Sequence, residues 1–302
     1  MSGAVALFTD GADWHAARLE QAMTRRGVEC RRVPLSACGF AVGRTATGLL
    51  LPGFDDALPA GAFVRVVGQG SFEQVTLRLG VLHALDRLGV PVYNTARAIE
   101  ACVDKSTTSF RLAQAGVPTP PAVAVQDGAT ARAVAESWPG CVLKPLFGAQ
   151  GRGLRRLPHP DDVPEPEAVG GVYYLQPFVP PRRDGEWRDC RVFVVGGRAV
   201  AAMIRHGRSW ITNVHQGGRC EALAPDGVVA ELAVRAAAAV GADYAGVDLI
   251  AAPHDDGRWL VLEVNSMPAW QGLQTVSEAD IADALAADFL AHVEAAASHG
   301  PQ

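Results

Sequence analysis

The chain has 302 residues, of which 49% are apolar and 20% charged, and its formal net charge is −5. That composition belongs to a folded globular protein of two or three compact units, and a net negative chain has no bulk attraction for nucleic acid. No apolar run approaches the roughly 20 residues that cross a bilayer. The first residues lack the basic start and apolar core of a secretion signal, and the six cysteines include no C-x-x-C pair, which argues against a zinc site or a disulfide framework. The cytoplasm is the expected compartment.

In chain order, Val5–Phe8 reads as a buried strand, 13–26 as a helix stopped by Gly27, and 29–33 and 62–67 as further strands. Phe72, Val75, Leu79 and Leu82 recur at helical spacing as far as Gly89, and 90–94 returns to extended chain. Strands alternating with helices predict a small parallel α/β sheet over residues 1–95. Between strand and helix, 68–71 suits either an anionic group or an ordinary turn and cap. Two short helices follow over 97–102 and 104–115. Asp104 can cap the second, which sets Lys105 in its first turn, where the helix dipole disfavours a cation. Lys105 is therefore either a solvated surface lysine or one that awaits a phosphate. A stiff run at 118–121 leads to a strand at 122–125, a helix at 129–137 and a β run at 141–146.

That β run carries Lys144 into a loop with Gly148, Gly151 and Gly153. Glycines let backbone N–H groups wrap an anion, and the lysine adds a point charge. The order G-x-x-G-x-G matches neither the dinucleotide fingerprint nor the P-loop, and 154–157 looks like a returning strand. Residues 142–154 thus read as a glycine-rich hairpin that grips phosphate, with an ordinary hairpin loop as the alternative. An acidic, proline-rich loop at 158–171 precedes a strand and linker at 172–179. Strands at 189–195 and 198–205 are joined by Gly196-Gly197, a hairpin signal. A loop through 210–218 leads to an alanine-rich helix that begins near 227 and closes at Gly241. The last helix has Ser277 as N-cap and Asp280 three residues on, and Ile281, Leu285, Phe289 and Val293 give it one apolar face.

Segments 245–252 and 259–265 read as paired strands around Asp255-Asp256-Gly257. Glu263 and Asn265, two apart, share a strand face, and Asp248 sits in the middle of the partner strand. Acids in apolar strands are costly unless paired or liganded. Three oxygen donors from two strands suit Mg²⁺ (or Mn²⁺) shared with nucleotide phosphates; a solvent-facing strip of antiparallel sheet is the alternative.

Taken together, Asp104-Lys105, Leu143-Lys144-Pro145 with its glycine loop, Leu175-Gln176-Pro177-Phe178-Val179, Asp189-Cys190-Arg191, residues 213–218, Ala245-Gly246-Val247-Asp248 and Glu263-Val264-Asn265 resemble the ATP-grasp superfamily, in particular the RimK-type α-L-glutamate ligases. The pieces come in the family's order between about 95 and 290. The resemblance implies an α/β ATP-grasp fold: a Rossmann-like pre-ATP-grasp domain over 1–95, a small lid subdomain over 96–175, and a large subdomain over 176–302 with the metal site.

It also implies roles. Lys105 and Lys144 hold phosphates from opposite sides, with Gly148, Gly151 and Gly153 around them. Gln176, Pro177, Phe178 and Val179 read adenine through backbone groups. Proline has no N–H, so the donor there is Phe178 or Val179. Asp189 accepts from the ribose hydroxyls, Asn213 stands by the phosphates, and Asp248, Glu263 and Asn265 hold Mg²⁺. The cofactors are ATP and Mg²⁺ (or Mn²⁺). The partners are L-glutamate and a carboxylate-bearing small-molecule acceptor, with no nucleic acid and no membrane; a homo-oligomer is left open. Arg191 and Arg205 are candidates to stabilise the reacting anions, with a structural ion pair as the alternative, and His215 is either a substrate contact or a loop residue.

One departure stands out. Relatives carry an Arg-Ser pair before the Asn, where this chain has Ile211-Thr212. Arg191, Arg205 or Arg208 must then supply the missing charge, or the acceptor differs. Segment 210–215 looks closer to relatives that glutamylate pterin-type one-carbon carriers. Rival readings are a phosphotransferase on the same scaffold and a nucleotide-binding regulatory protein without catalysis; the full set of Lys, Asp, Glu and Asn argues against the latter.

Overall fold

The computed structural model describes residues 3–11, 13–55, 57–138, 140–148, 151–181, 183, 185–212, 217–252 and 258–299. The chain runs through β1 (Val5–Phe8), α1 (Trp14–Arg25), β2 (Cys30–Val33), β3 (Gly39–Phe40), β4 (Leu49–Leu50), β5 (Ala62–Val64), α2 (Phe72–Arg87), β6 (Val92–Tyr93) and α3 (Ala96–Val103). It continues through α4 (Lys105–Gln114), β7 (Val123–Val125), α5 (Gly128–Ser137), β8 (Cys141–Lys144), β9 (Arg155–Leu157), β10 (Tyr173–Gln176), β11 (Arg188–Val195) and β12 (Arg198–His206). Last come β13 (Arg219–Leu223), α6 (Gly227–Val240), β14 (Tyr244–Ala251), β15 (Trp259–Asn265), α7 (Gln271–Gln274) and α8 (Ile281–His299). No helix is long and apolar enough to cross a membrane among the described residues.

Two compact units form: Met1–Ile99 with Ala242–Tyr244 and Met267–Gln302, and Glu100–Gly241 with Ala245–Ser266. In the first, the sheet order is β2-β1-β5-β6 and every pairing is parallel, as alternating strands and helices predict. Strands β1 and β5 are apolar on both faces, with Leu7, Phe8 and Phe63 fully buried, whereas the edge strand β2 carries Arg31 and Arg32. The run at 62–67 is strand only as far as Val64, and the chain leaves the sheet at Arg65. At 68–71 the turn-and-cap reading holds for Ser71, which forms a capping box with Gln74. The first unit also takes in α8, whose Ile281, Leu285, Phe289 and Val293 are buried. A Cβ on Gly61 would lie 2.4 Å from Val293 and 3.0 Å from Phe289, so only glycine allows this approach. Ion pairs from Arg18 (3.1 Å) and Arg25 (3.4 Å) to Asp280, and from Arg26 to Asp283, add to the docking of α8. The cap of α8 differs from expectation. Asp280 itself accepts from Asp283 N–H at 3.2 Å, whereas Ser277 Oγ accepts from Ala279 and forms only a turn.

His15, near the start of α1, accepts a hydrogen bond from Trp270 N–H through Nε2 at 3.2 Å. Burial, then the nearby Arg65 guanidinium, push its pKa from 6.5 down to about 4. Between those values the unfolded chain binds the proton and the folded one does not, so stability from this group is present above about pH 6.5 and is lost as the pH falls towards 4. The full effect is on the order of 3 kcal/mol as an upper bound. Between pH 7.5 and pH 5, urea titrations should show a smaller fall in stability for His15→Gln than for the wild type. Asp243, raised to about 6 by burial, acts in the opposite sense but equally in both proteins. Equal falls would remove His15 as the source.

The second unit holds two sheets, and β7–β10, β10–β8, β8–β9, β13–β12, β12–β11 and β14–β15 pair antiparallel. One has the order β7-β10-β8-β9, and the other β13-β12-β11-β14-β15. Helix α5 covers one face of the smaller sheet, where Ala131, Ala135, Leu143, Tyr173 and Leu175 form the core. Alternation then turns Lys144, Tyr174 and Gln176 to the opposite face. On the larger sheet, Ala245, Val247 and Val264 are fully buried, so Gly246, Asp248, Glu263 and Asn265 present the other face. Gly196-Gly197 joins β11 to β12 as expected. All six cysteines are free. Strand β13 and the β3–β4 hairpin are additions to the sequence-based elements. The turn at Asp255-Asp256-Gly257 lies outside the described residues.

Candidate active site

Register sets the carboxylates. Asp248 stands directly opposite Glu263, and Gly246 opposite Asn265, with a bulge after Asp248. Asn265 Nδ2 donates to Gly246 O at 3.3 Å, which leaves its side-chain oxygen as the free end of the amide. Lys105 opens α4 behind the cap of Asp104, which accepts from Ser106 N–H at 2.8 Å and Thr107 N–H at 3.2 Å. The Lys105 ammonium donates to Gly148 O at 2.9 Å and lies 3.7 Å from Glu263 Oε1. These neighbours offset the unfavourable dipole at that helix end.

Lys144 ends β8 on the same face as Tyr174 and Gln176. Burial of its ammonium, with the charge of Lys105, pushes its pKa down to about 8, and Glu263 and Asp248 pull the other way. Among the described residues no hydrogen bond or ion pair engages it. Tyr174 ties this face to α4 through a 2.7 Å hydroxyl contact with Ser109. The structure thus gathers both lysines, Asp248 and Glu263 into one electrostatic cluster. The glycine loop is a hairpin closed by β9. Gly151 and Gly153 have φ of 68° and 74°, and a Cβ on Gly153 would meet Pro145 Cγ at 2.7 Å. Glycine is required there by both backbone and space.

A second cluster follows on the same larger sheet. Asp189 and Arg205 face each other across β11 and β12. Arg205 donates to both Asp189 oxygens, at 2.7 and 2.5 Å, and its Nη2 lies 3.1 Å from Asp248 Oδ2. Arg191 donates to both Asp248 oxygens at 2.6 Å. Thr212 Oγ1 donates to Asp189 at 2.6 Å. Burial alone would lift the Asp248 carboxyl, but the Arg191 and Arg205 guanidiniums outweigh it and hold it below the usual range. Both arginines are thus paired, the alternative left open for them on sequence grounds. Thr212, noted in the sequence only as a departure, is a partner of Asp189. Asn213 and His215 lie outside the described residues, and Arg208 is exposed.

Gln176 is buried between β7 and β8, and neither end of its amide has a hydrogen-bond partner. Beyond it Phe178 has the Arg156 guanidinium 4.0 Å from its ring centre, and the Trp187 and Trp210 rings at 6.2 and 6.1 Å. Among the described residues this sheet face thus carries an ammonium and an amide that have no partner, which leaves both free to engage a polar ligand.

The model of one protein family, the RimK-like ATP-grasp domain, matches residues 102–289. The chain belongs to that family. Tetrahydromethanopterin:alpha-L-glutamate ligase of Methanococcus maripaludis is 37% identical over 230 residues, which cover 74% of this chain and 76% of that protein. The protein of the same name from Methanocaldococcus jannaschii is 38% identical over 240 residues, 77% and 79% of the two chains. Among solved structures, the ATP-grasp ligase PsnB complexed with minimal precursor matches at a TM-score of 0.74 with 22% identity, over 97% of this chain and all of that one. PsnB with precursor, Mg and ADP matches at 0.71 over 96% and 98%. The α/β fold is that of an ATP-grasp ligase, and the enzyme is an ATP-dependent ligase.

The donor set of this ATP-grasp ligase can be tested against the metal that its fold implies. Among the described residues no group of three or more His, Cys, Asp or Glu side chains could hold a metal ion. The expected set has only two such residues, Asp248 and Glu263, plus an amide oxygen from Asn265. All three donors are hard oxygens on one face, and Asn265 keeps its oxygen free. The set therefore fits Mg²⁺ with its remaining positions filled by water and phosphate. Asp248 would share its oxygens with Arg191 and Arg205.

Proposed function

We propose that the enzyme adds L-glutamate to the carboxylate of a tetrahydromethanopterin-type one-carbon carrier, with ATP and Mg²⁺, in the cytoplasm. The observation that carries the reading is the Lys144 ammonium, half-buried and unpaired among the described residues, in the field of Lys105, Glu263 and Asp248. The names of the relatives at 37–38% identity supply the substrate class. In this reading the part from 96 to 175 closes over a nucleotide held by the part that begins at 176. Lys144 and Lys105 bind phosphate oxygens. Gln176–Val179 hold the adenine, Asp189 the ribose, and Asn213 the phosphates.

The acceptor carboxylate attacks the γ-phosphorus and ADP leaves, which gives an acyl phosphate. The glutamate amine then attacks the acyl carbon, and phosphate departs from a tetrahedral intermediate. Bound Mg²⁺, held by Asp248, Glu263 and Asn265, would neutralise phosphate charge. Arg191 and Arg205, held in place by Asp248 and Asp189, are assigned to stabilise the anions that form, electrostatic work that needs donors already in place. No nucleophilic side chain takes part.

Removal of the Lys144 ammonium should weaken ATP binding about 10- to 100-fold, the range of a hydrogen bond to a charged group. Calorimetric titration of Lys144→Ala checks this, with circular dichroism to show a retained fold. An unchanged ATP affinity would detach the loop from the nucleotide. For the activity itself, purified protein with ATP, Mg²⁺, L-glutamate and a panel of carboxylate acceptors should release ADP only when amine and acceptor are both present. A phosphotransferase would need no amine, and a regulatory protein would show no turnover.

A further inference from the structure

We propose that the first unit carries a carboxylate-binding subsite centred on Arg65. In the order β2-β1-β5-β6 the chain moves to one side of β1 to form β2, and it returns on the other side as β5. The strand order therefore reverses between β1 and β5. In open parallel sheets ligands bind outside the carboxyl ends of the strands at such a reversal. Arg65 is the first residue past β5, and its backbone N–H donates to Phe8 O, the last residue of β1, at 2.9 Å. The N-terminus of α1 comes from the same end of β1.

The Arg65 side chain is 6% exposed. Its Nη1 donates to Met267 O at 2.9 Å, and its guanidinium lies 5.3 Å from the centre of the Trp270 ring. Nε is buried without a partner, and no carboxylate pairs with the guanidinium among the described residues. Asp13 acts on it only through space. Asp13 Oδ1 is taken by Ala16 N–H at 2.6 Å, and Oδ2 lies 3.7 Å from His15. His15 is neutral and is engaged by Trp270 N–H, so it brings no competing charge. A buried guanidinium without a counter-charge is unstable relative to a paired one, and a carboxylate matches its planar fork with two parallel hydrogen bonds. A single fork beside the Trp270 ring suits an amino-acid-sized carboxylate better than a triphosphate.

The subsite rests on the ligase reading only for the source of the carboxylate, which is either L-glutamate or the acceptor. The test uses full-length protein and the variant Arg65→Lys, which keeps the charge and loses the fork. In turnover assays the variant should raise the KM of one carboxylate substrate about tenfold or more, with the KM of ATP unchanged. A rise confined to L-glutamate or to the acceptor names the source. A folded variant with both values unchanged, or with all KM values raised alike, overturns the subsite.

A second readout needs no activity. Tryptophan fluorescence, titrated with L-glutamate, with glutarate and with the acceptor that supports turnover, should shift in the wild type for at least one of them. No shift with any of them overturns the proposal even where Arg65→Lys does not fold. If the wild type has no ligase activity, a shift with glutarate or L-glutamate upholds the subsite while the ligase reading fails, and no shift with either overturns both.

Discussion

Glu263→Gln is expected to lower turnover by about two to three orders of magnitude, the range seen when one preorganised electrostatic group at a reacting centre is removed. The substitution keeps shape and takes away one charge. That charge faces Asp248 across β14 and β15 and lies 3.7 Å from Lys105. It also supports Lys144, since Glu263 is one of the groups that raise its pKa. Without it the lysine becomes easier to deprotonate, and the proposed Mg²⁺ site loses one of its two carboxylates. The Mg²⁺ concentration needed for half-maximal turnover should rise as well. Assays across a Mg²⁺ series, with melting curves to confirm the fold, provide the measurement. Wild-type turnover at ordinary Mg²⁺ would remove Glu263 from the metal site.

Arg205→Met is expected to destabilise the fold by about 3–5 kcal/mol, the cost of breaking a buried ion pair from one side. Arg205 is 4% exposed and bridges two carboxylates. After its loss Asp248 keeps Arg191, but among the described residues Asp189 keeps only the Thr212 hydroxyl. The double variant Arg205→Met/Asp189→Asn should recover much of the loss, because it removes the stranded charge. The pair also sets an acid limit. Asp248 titrates below its ordinary 3.8 in the fold, so its contribution is present above that value and is lost as the pH falls through the lower folded one. Urea unfolding of the three proteins decides the matter. A loss under about 1 kcal/mol would be that of an exposed pair and would contradict the buried bridge.

What was legible in the sequence was local. Glu263 and Asn265 had to share a face because strand side chains alternate, and two strands near one turn had to pair; the register then placed Asp248 opposite Glu263. The Asp104 cap, the glycine hairpin and the Gly196-Gly197 turn were local in the same sense. Partnerships across register were not legible. Asp189 and Arg205 sit 16 residues apart, and nothing short of the β11–β12 register shows that they meet. The return of α8 to the first unit is a long-range packing event that an amphipathic pattern cannot address to a particular partner. Arg65 did leave a signal, a lone charge inside the apolar run 62–67, but read as a strand residue it gave no hint of its burial against Trp270.

The most direct test of the central claim is product analysis after incubation with ATP, Mg²⁺, L-glutamate and a tetrahydromethanopterin-type acceptor. ADP and an amide between acceptor and glutamate should appear in equal amounts, and neither should form without the amine. ADP formed with a phosphoester and no amide, or ADP formed at the same rate without glutamate, would contradict the ligase mechanism.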